Sequence, residues 1–232
     1  FGQALISVTF DDGWGSVYTT AMPLLDRYGI HSTQYIISDV SKDQAYMSDA
    51  QLKEVKHVGH ELEAHTVSHP DITTLSDKDL TYQLQHSQHD LSKRFGGNFD
   101  DFASPYGHTD ARTLAAIKQY YRSHRNVNGD YTNGISHYDI NVAGSFDRYN
   151  IIGVTVRKET TVQDLANLVN YAVAHNGWLV LNYHAIDEQS SDYALDITSL
   201  ESQLKYLSST NVRIVTMGQV LDTIAPIKTK GN

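Results

Sequence analysis

Residues 4–13 read ALISVTFDDG, and the rest of the chain is organised around how that stretch ends. Ala4 to Phe10 is a strand-like run, and it delivers two adjacent carboxylates, Asp11 and Asp12, to the point where the strand stops. Neighbouring side chains on a strand point to opposite faces. Where the strand gives way to a loop that alternation breaks, so both acids can serve one site in different roles. One binds a cation while the other handles a proton. Taken alone, Asp11-Asp12-Gly13 is an ordinary turn. Three later stretches that can complete the same site give it weight.

Composition narrows the partners. A length of 232 residues with 40% apolar content suits one large globular domain or two small ones, and a single domain spanning 1–232 is expected. A formal charge of -9 argues against nucleic acid or an anionic membrane as the main partner. There is no cysteine, so disulfides and thiolate metal sites are excluded. Any metal must take His, Asp or Glu, and 12 His are present. No run of 18 apolar residues occurs, so no transmembrane segment is expected. The chain starts at Phe1, without Met and without a signal sequence, as expected of a mature or trimmed chain. Fifteen Tyr suit a protein that meets sugars, although Tyr is also core material. A monomer is expected.

Strand and helix then alternate. Ser16 to Tyr28 reads as a helix stopped by Gly29, Thr33 to Ser38 as a strand, and Ser48 to Val58 as a helix with Ser48 as its N-cap. His60 to His65 is a short alternating segment. Ser76 to Phe95 is a long polar helix, Phe99 to Ala103 a strand, Thr109 to Tyr121 a helix and Arg122 to Val127 a strand. Asp130 to Tyr138 is loop-like. Tyr149 to Val156 is a strand, Thr161 to His175 a helix, and Trp178 to Tyr183 a strand. Ile197 to Ser208, Val212 to Met217 and Gly218 to Ile224 close the chain as helix, strand and helix. About seven such alternations predict an α/β fold with a mainly parallel sheet, and the length favours a distorted (β/α) barrel. No GxGxxG follows the first strand, which removes the usual dinucleotide reading. In a barrel, residues just past the C-terminal ends of strands meet at one mouth. Asp11, Asp12, His65, His69, Pro105, Arg157 and His184 all fall at such predicted ends.

His65-Thr66-Val67-Ser68-His69-Pro70 places two imidazoles four residues apart, able to face one metal. Pro70 disfavours helical φ/ψ at His69, which makes this a turn or a helix end. With Asp12 the pair makes a two-His, one-carboxylate set that leaves positions open for water and substrate. Pro105-Tyr106-Gly107 fixes a loop at a strand end. His184 follows the apolar strand Trp178–Tyr183, and its near-neutral reference pKa suits a general acid.

Together, TFDDG, HTVSHP, the SPYG turn and LNYH resemble, in order and spacing, the carbohydrate esterase family 4 polysaccharide deacetylases, the NodB-homology domain. The resemblance covers residues 4 to 224. It implies Asp11 as general base, Asp12, His65 and His69 as ligands of one divalent metal (zinc first, nickel or cobalt able to substitute), and His184 as general acid. It also implies a substrate groove lined by Pro105, Tyr106 and Gly107, with the Tyr106 backbone N–H serving an oxyanion. The implied substrate is an N-acetylated amino-sugar polysaccharide, and the implied location is extracellular or in the cell envelope.

Two departures carry expectations of their own. The family's third motif usually opens with an Arg that pairs with the base, and Ala103 stands there. Where the fourth motif usually supplies an Asp, the chain has Arg157. Arg157 is therefore expected to reach Asp11 from the neighbouring strand, with Arg125 as runner-up. The fifth motif's usual Leu is Asn182, so a more polar acetyl pocket is expected, or a wall supplied by Tyr183. The rival readings are an O-acetyl xylan esterase and a catalytically impaired sugar-binding homologue.

Overall fold

The computed structural model describes residues 1–40, 42–129, 134–136, 139–187 and 192–224. Its sheet holds β1 (Leu5–Asp12), β2 (Thr33–Ile36), β3 (Glu61–Ala64), β4 (Asp101–Ala103), β5 (Ser123–Gly129), β6 (Ile151–Thr155), β7 (Trp178–Tyr183) and β8 (Arg213–Ile214). Around them lie α1 (Met22–Arg27), α2 (Asp49–His57), α3 (Asp77–Phe95), α4 (Ala111–Tyr120), α5 (Val162–Ala174), α6 (Ile197–Ser209) and α7 (Met217–Thr223). β1 pairs in parallel with β7 from Leu5 to Phe10 and with β2 from Thr9 to Asp12, so β1 to β7 close into a ring. β8 touches β1 only at Leu5 and Ile6, filling the edge that β2 leaves free lower down.

The predicted barrel is what forms, with boundaries moved for local reasons. β1 runs two residues past Phe10, because Asp11 and Asp12 pair with Tyr35 and Ile36. The helix predicted from Ser16 opens as a five-residue π turn, Val17–Ala21, before α1. Pro23, with no N–H to give, sits where α1 begins. The last predicted strand shrinks to two residues because Thr216 caps α7, its side chain accepting from the Gln219 N–H. Ser48 caps α2 as expected, and Gln51 returns the bond in a capping box. The loop predicted over Asp130 to Tyr138 lies mostly outside the described residues.

Alternation sorts each strand into two environments. Ile6, Val8 and Phe10 join the helix-facing core, while Tyr35, Ala103, Ile151, Trp178 and Val180 form a second cluster with Met217, Val220 and Leu221 of α7. α7 thus stoppers the N-terminal end of the barrel and leaves the C-terminal end for function. Beside it, Asp101 accepts from Arg122 at 3.0 and 2.9 Å, and Glu61 accepts from the Gly218 N–H at 3.1 and 3.0 Å. Those bonds occupy the Glu61–Glu63–Asp101 group as an ion-pair and capping network. Burial, with Asp101 and Glu61 close by, pushes the Glu63 carboxyl well above the usual range.

His124 gives this fold a defined acid sensitivity. Its Nδ1–H donates to the Tyr149 carbonyl at 3.0 Å, and its Nε2 accepts from Ser104 Oγ at 2.9 Å. Burial chiefly, with the Arg125 charge adding to it against the Tyr149 hydrogen bond, pushes the imidazole down to about 4. The unfolded chain takes that proton near pH 6.5, so stability is full above that pH and is lost as pH falls toward 4. The loss amounts to about 3 kcal/mol, from 1.36 kcal/mol per pKa unit. Denaturant melts of wild type and His124→Gln at pH 7 and pH 4.5 should show the steeper acid loss in wild type. Equal losses would mean another group sets the slope.

Candidate metal centre and catalytic cavity

A cavity of about 550 Å³ opens at the C-terminal ends of the strands, lined by Asp11, Asp12, His65, His69, Tyr106 and His184 among others. Backbone conformation shapes it. Asp12, Thr66, His69 and Tyr106 all take left-handed φ values, of 74°, 67°, 59° and 60°, which non-glycine residues adopt at a cost of about 1–3 kcal/mol each. At Asp12 this breaks the strand alternation, so successive carboxylates reach the same cavity. Gly107, at φ +70°, lets the loop rest on β5: a Cβ there would come 2.3 Å from Val127 Cγ2.

Asp12 Oδ1 lies 3.4 Å from His65 Nε2 and 3.3 Å from His69 Nε2, and it has no hydrogen-bond partner although buried. Those separations are long for hydrogen bonds. They match the edge of a tetrahedron around a cation with bonds near 2.0–2.1 Å, which is about 3.3 Å. Second contacts orient each ligand. His65 Nδ1–H donates to the Ala103 carbonyl at 2.8 Å, which turns the Nε2 lone pair inward. Asp12 Oδ2 accepts from the Trp14 indole N–H at 2.8 Å, leaving Oδ1 for the cation. Trp14 in turn stacks on Tyr46 with centroids 4.6 Å apart. Neither Trp14 nor Tyr46 was expected from the sequence; a Trp two residues beyond a candidate ligand was the available signal. The residues present therefore fit a single divalent ion held by Asp12, His65 and His69.

Charge neighbours set the protonation states. Burial works to raise both aspartates. For Asp11 it is outweighed first by Arg125 and then by His65 and His184, which hold the carboxyl below the usual range. For Asp12 the close approach and charge of His65, with His184 and His69, bring it far lower. Burial lowers His184, opposed by Asp11 and Asp12. It also lowers His69, whereas at His65 the two aspartates outweigh burial and raise the imidazole.

The cation on Asp11 is Arg125 and not Arg157. Arg125 Nη2 donates to Asp11 Oδ1 from β5, with its guanidinium 4.8 Å over the Tyr35 ring. Arg125 faces the barrel interior directly beneath Asp11. Arg157 stands two residues beyond the end of β6, exposed at the rim, with its guanidinium 5.2 Å from the Tyr193 ring. Ala103 and Arg125 are register partners, so the cation sits at the height of the usual family position, one strand along. Tyr183 also departs from expectation. Strand alternation turns Asn182 into the cavity and Tyr183 away, where it stacks on Phe10 at 5.3 Å and its hydroxyl donates to Gln203 at 3.0 Å. Tyr106 and Gly107 line the cavity, and Pro105 is buried behind them.

Comparison with known proteins agrees with this geometry. The family model described as polysaccharide deacetylase matches residues 1–122, which carry Asp11, Asp12, His65, His69 and the 105–107 turn. A chitin deacetylase from Colletotrichum lindemuthianum is 24% identical over 223 residues, covering 94% of this chain and 79% of that protein. A bifunctional xylanase/deacetylase from Pseudobutyrivibrio xylanivorans is 28% identical over 105 residues, covering 45% of this chain and 17% of that protein. The chain spans less than half the length of several curated relatives, 42% for YxkH of Bacillus subtilis and 44% for a Geobacillus stearothermophilus protein. Among solved structures, the Xyl-CE4 domain of a multidomain xylanase from the hindgut metagenome of Trinervitermes trinervoides superposes with a TM-score of 0.65 at 19% identity, covering 96% of this chain and 91% of that one. The Bc1960 peptidoglycan N-acetylglucosamine deacetylase gives 0.66 at 16% identity, covering 94% and 88%. Both share the fold. With its family match extending over half the sequence and the matching motifs gathered at one barrel mouth, the chain belongs to the polysaccharide deacetylase family.

Proposed function

We propose that the protein is a metal-dependent hydrolase removing N-acetyl groups from glycans containing N-acetylglucosamine, such as chitooligosaccharide, peptidoglycan or poly-N-acetylglucosamine. The observation that carries this reading is the meeting, in one cavity, of the Asp12–His65–His69 triad, an arginine-paired Asp11 and His184. A divalent ion bound there supplies positive charge that favours hydroxide over water at neutral pH and offsets negative charge on the acetyl oxygen. Zinc suits the N/O donors, and nickel or cobalt can substitute.

The chain's own groups do the rest. Asp11, ionised at neutral pH and held by Arg125, accepts the proton of the attacking water. The Tyr106 backbone N–H donates to the oxygen where negative charge develops. His184 delivers a proton to the leaving nitrogen. Burial weakens its hold on that proton, and the charges of the two aspartates oppose that shift. An amine leaves only when protonated, whereas an alkoxide departs more readily, so a positioned acid favours N- over O-deacetylation. The substrate would be a polysaccharide outside the cell or in its envelope. Among the described residues no helix is long and apolar enough to cross a membrane.

An O-acetyl xylan esterase is the second reading, supported by the xylanase-linked relative and structural neighbour. Acetate release from chitooligosaccharides, peptidoglycan fragments and acetylxylan separates the two. Chelation should abolish release, and one equivalent of zinc per chain should restore it. Release that survives exhaustive chelation would sink the metal-dependent reading.

A further inference from the structure

Arg157 is left over by the mechanism, because Arg125 does the work on Asp11. Its main chain is fixed by a bond from its N–H to Thr160 Oγ1 at 2.9 Å, while its side chain is exposed at the rim of the catalytic cavity. The guanidinium lies 5.2 Å from the centroid of Tyr193, and that ring lies 5.3 Å from the ring of His184. Arg157 and His184 thus line the same cavity, with the Tyr193 ring beside each of them.

Among the described residues no carboxylate forms an ion pair with Arg157. Asp192, the acid that feels its charge, is hydrogen-bonded to Lys158, and Glu159 lies 3.9 Å from the same ammonium. Asp11 has Arg125, and Asp12 faces two histidines. On a chain of formal charge -9, which repels anions at long range, a cation at the cavity rim with no ion pair among the described residues is a local exception. A neutral glycan needs only the Tyr193 face to stack on. A planar guanidinium lying over that face presents its N–H edge to a carboxylate.

We propose that Arg157, backed by Tyr193, forms a subsite for a carboxylate on the sugar next to the one being deacetylated. The favoured glycan would then alternate N-acetylglucosamine with an acidic sugar, bearing either a lactyl ether carboxylate or a uronate. This rests on the N-deacetylase reading above and specifies its substrate class.

The test compares tetrasaccharides of alternating N-acetylglucosamine and N-acetylmuramic acid with the same oligomers amidated at the lactyl carboxyl, and with neutral chitotetraose. A glucuronate-bearing acetylated oligosaccharide forms a further arm that separates the two carboxylate sources. Wild type should favour the acidic over the amidated oligomer in kcat/KM. Arg157→Gln should cut that ratio about tenfold, the scale of one charge-assisted contact, with Arg157→Lys in between. Calorimetric binding of the same pair by zinc-loaded protein reads the contact without catalysis. An enzyme inactive on every oligomer, yet binding the acidic form more tightly through Arg157, would end the deacetylase reading and keep the subsite. No acidic preference in wild type, or equal losses on both oligomers in Arg157→Gln, would overturn the proposal.

Discussion

Asp11→Asn should bind one zinc ion per chain and lose about 10²–10⁴-fold in acetate release, the range typical of a general base. The ligand atoms belong to Asp12, His65 and His69, and none is touched by the change. What goes is the group that accepts a proton. The asparagine carbonyl still accepts from Arg125 Nη2, so part of the buried pairing survives, although without the negative charge. Some loss of stability is therefore expected, and metal content should be normalised to folded protein by circular dichroism. His184→Ala should also keep its metal and lose turnover on a similar scale. The double substitution should cost less than the product of the two, because base and acid act in one step. Near-normal turnover in Asp11→Asn, or a protein that no longer takes up zinc, would show the roles to be misassigned.

The parts of this site legible in the sequence were those in which a short motif carries its own geometry. Asp11-Asp12 and HTVSHP needed only a strand end and a turn, and the fold supplies both, with left-handed residues at Asp12, Thr66 and His69. The order of strands was legible from periodicity, since the run 178–181 is apolar without interruption and Thr161–His175 is amphipathic. Contacts set by register were not legible. That Arg125 reaches Asp11 follows from β4 pairing with β5 so that Ala103 opposes Arg125, and no local pattern states that pairing. The inward turn of Asn182 and outward turn of Tyr183 depend on β7 starting at Trp178, and a one-residue shift would exchange them. Trp14 on Asp12 was missed for a related reason. Its indole N–H reaches back two residues because the chain reverses at Asp12 and Gly13, and only the backbone angles show that.

Arg125→Ala should destabilise the fold by about 3–5 kcal/mol and sharply reduce turnover, because it leaves Asp11 buried without its cation. The surroundings show a cation built into the barrel. Arg125 is fully buried, lies over the Tyr35 ring, and has its space kept by Gly153, where an added Cβ would come 2.8 Å from Arg125 Cδ. Gly153→Ala should disturb the same contact and also press on the Asn126 carbonyl of β5, which an added Cβ would meet at 2.7 Å. Arg125→Lys keeps a charge but loses the planar guanidinium that lies over Tyr35 and points Nη2 at Asp11, so it should recover much of the stability and little of the rate. The decisive variant moves the cation back one strand. Ala103 is the register partner of Arg125 and points into the same layer, so Ala103→Arg combined with Arg125→Ala should place a guanidinium beneath Asp11 from β4. Urea unfolding and acetate release should both recover in this double variant relative to Arg125→Ala, with a coupling of about 1 kcal/mol or more between the two sites. If Arg125→Ala is as stable and active as wild type, the pair is incidental to Asp11. If the double variant is no better than the single, then Tyr35, Gly153 and Arg125 form one fitted unit, and the strand that carries the cation matters as much as its charge.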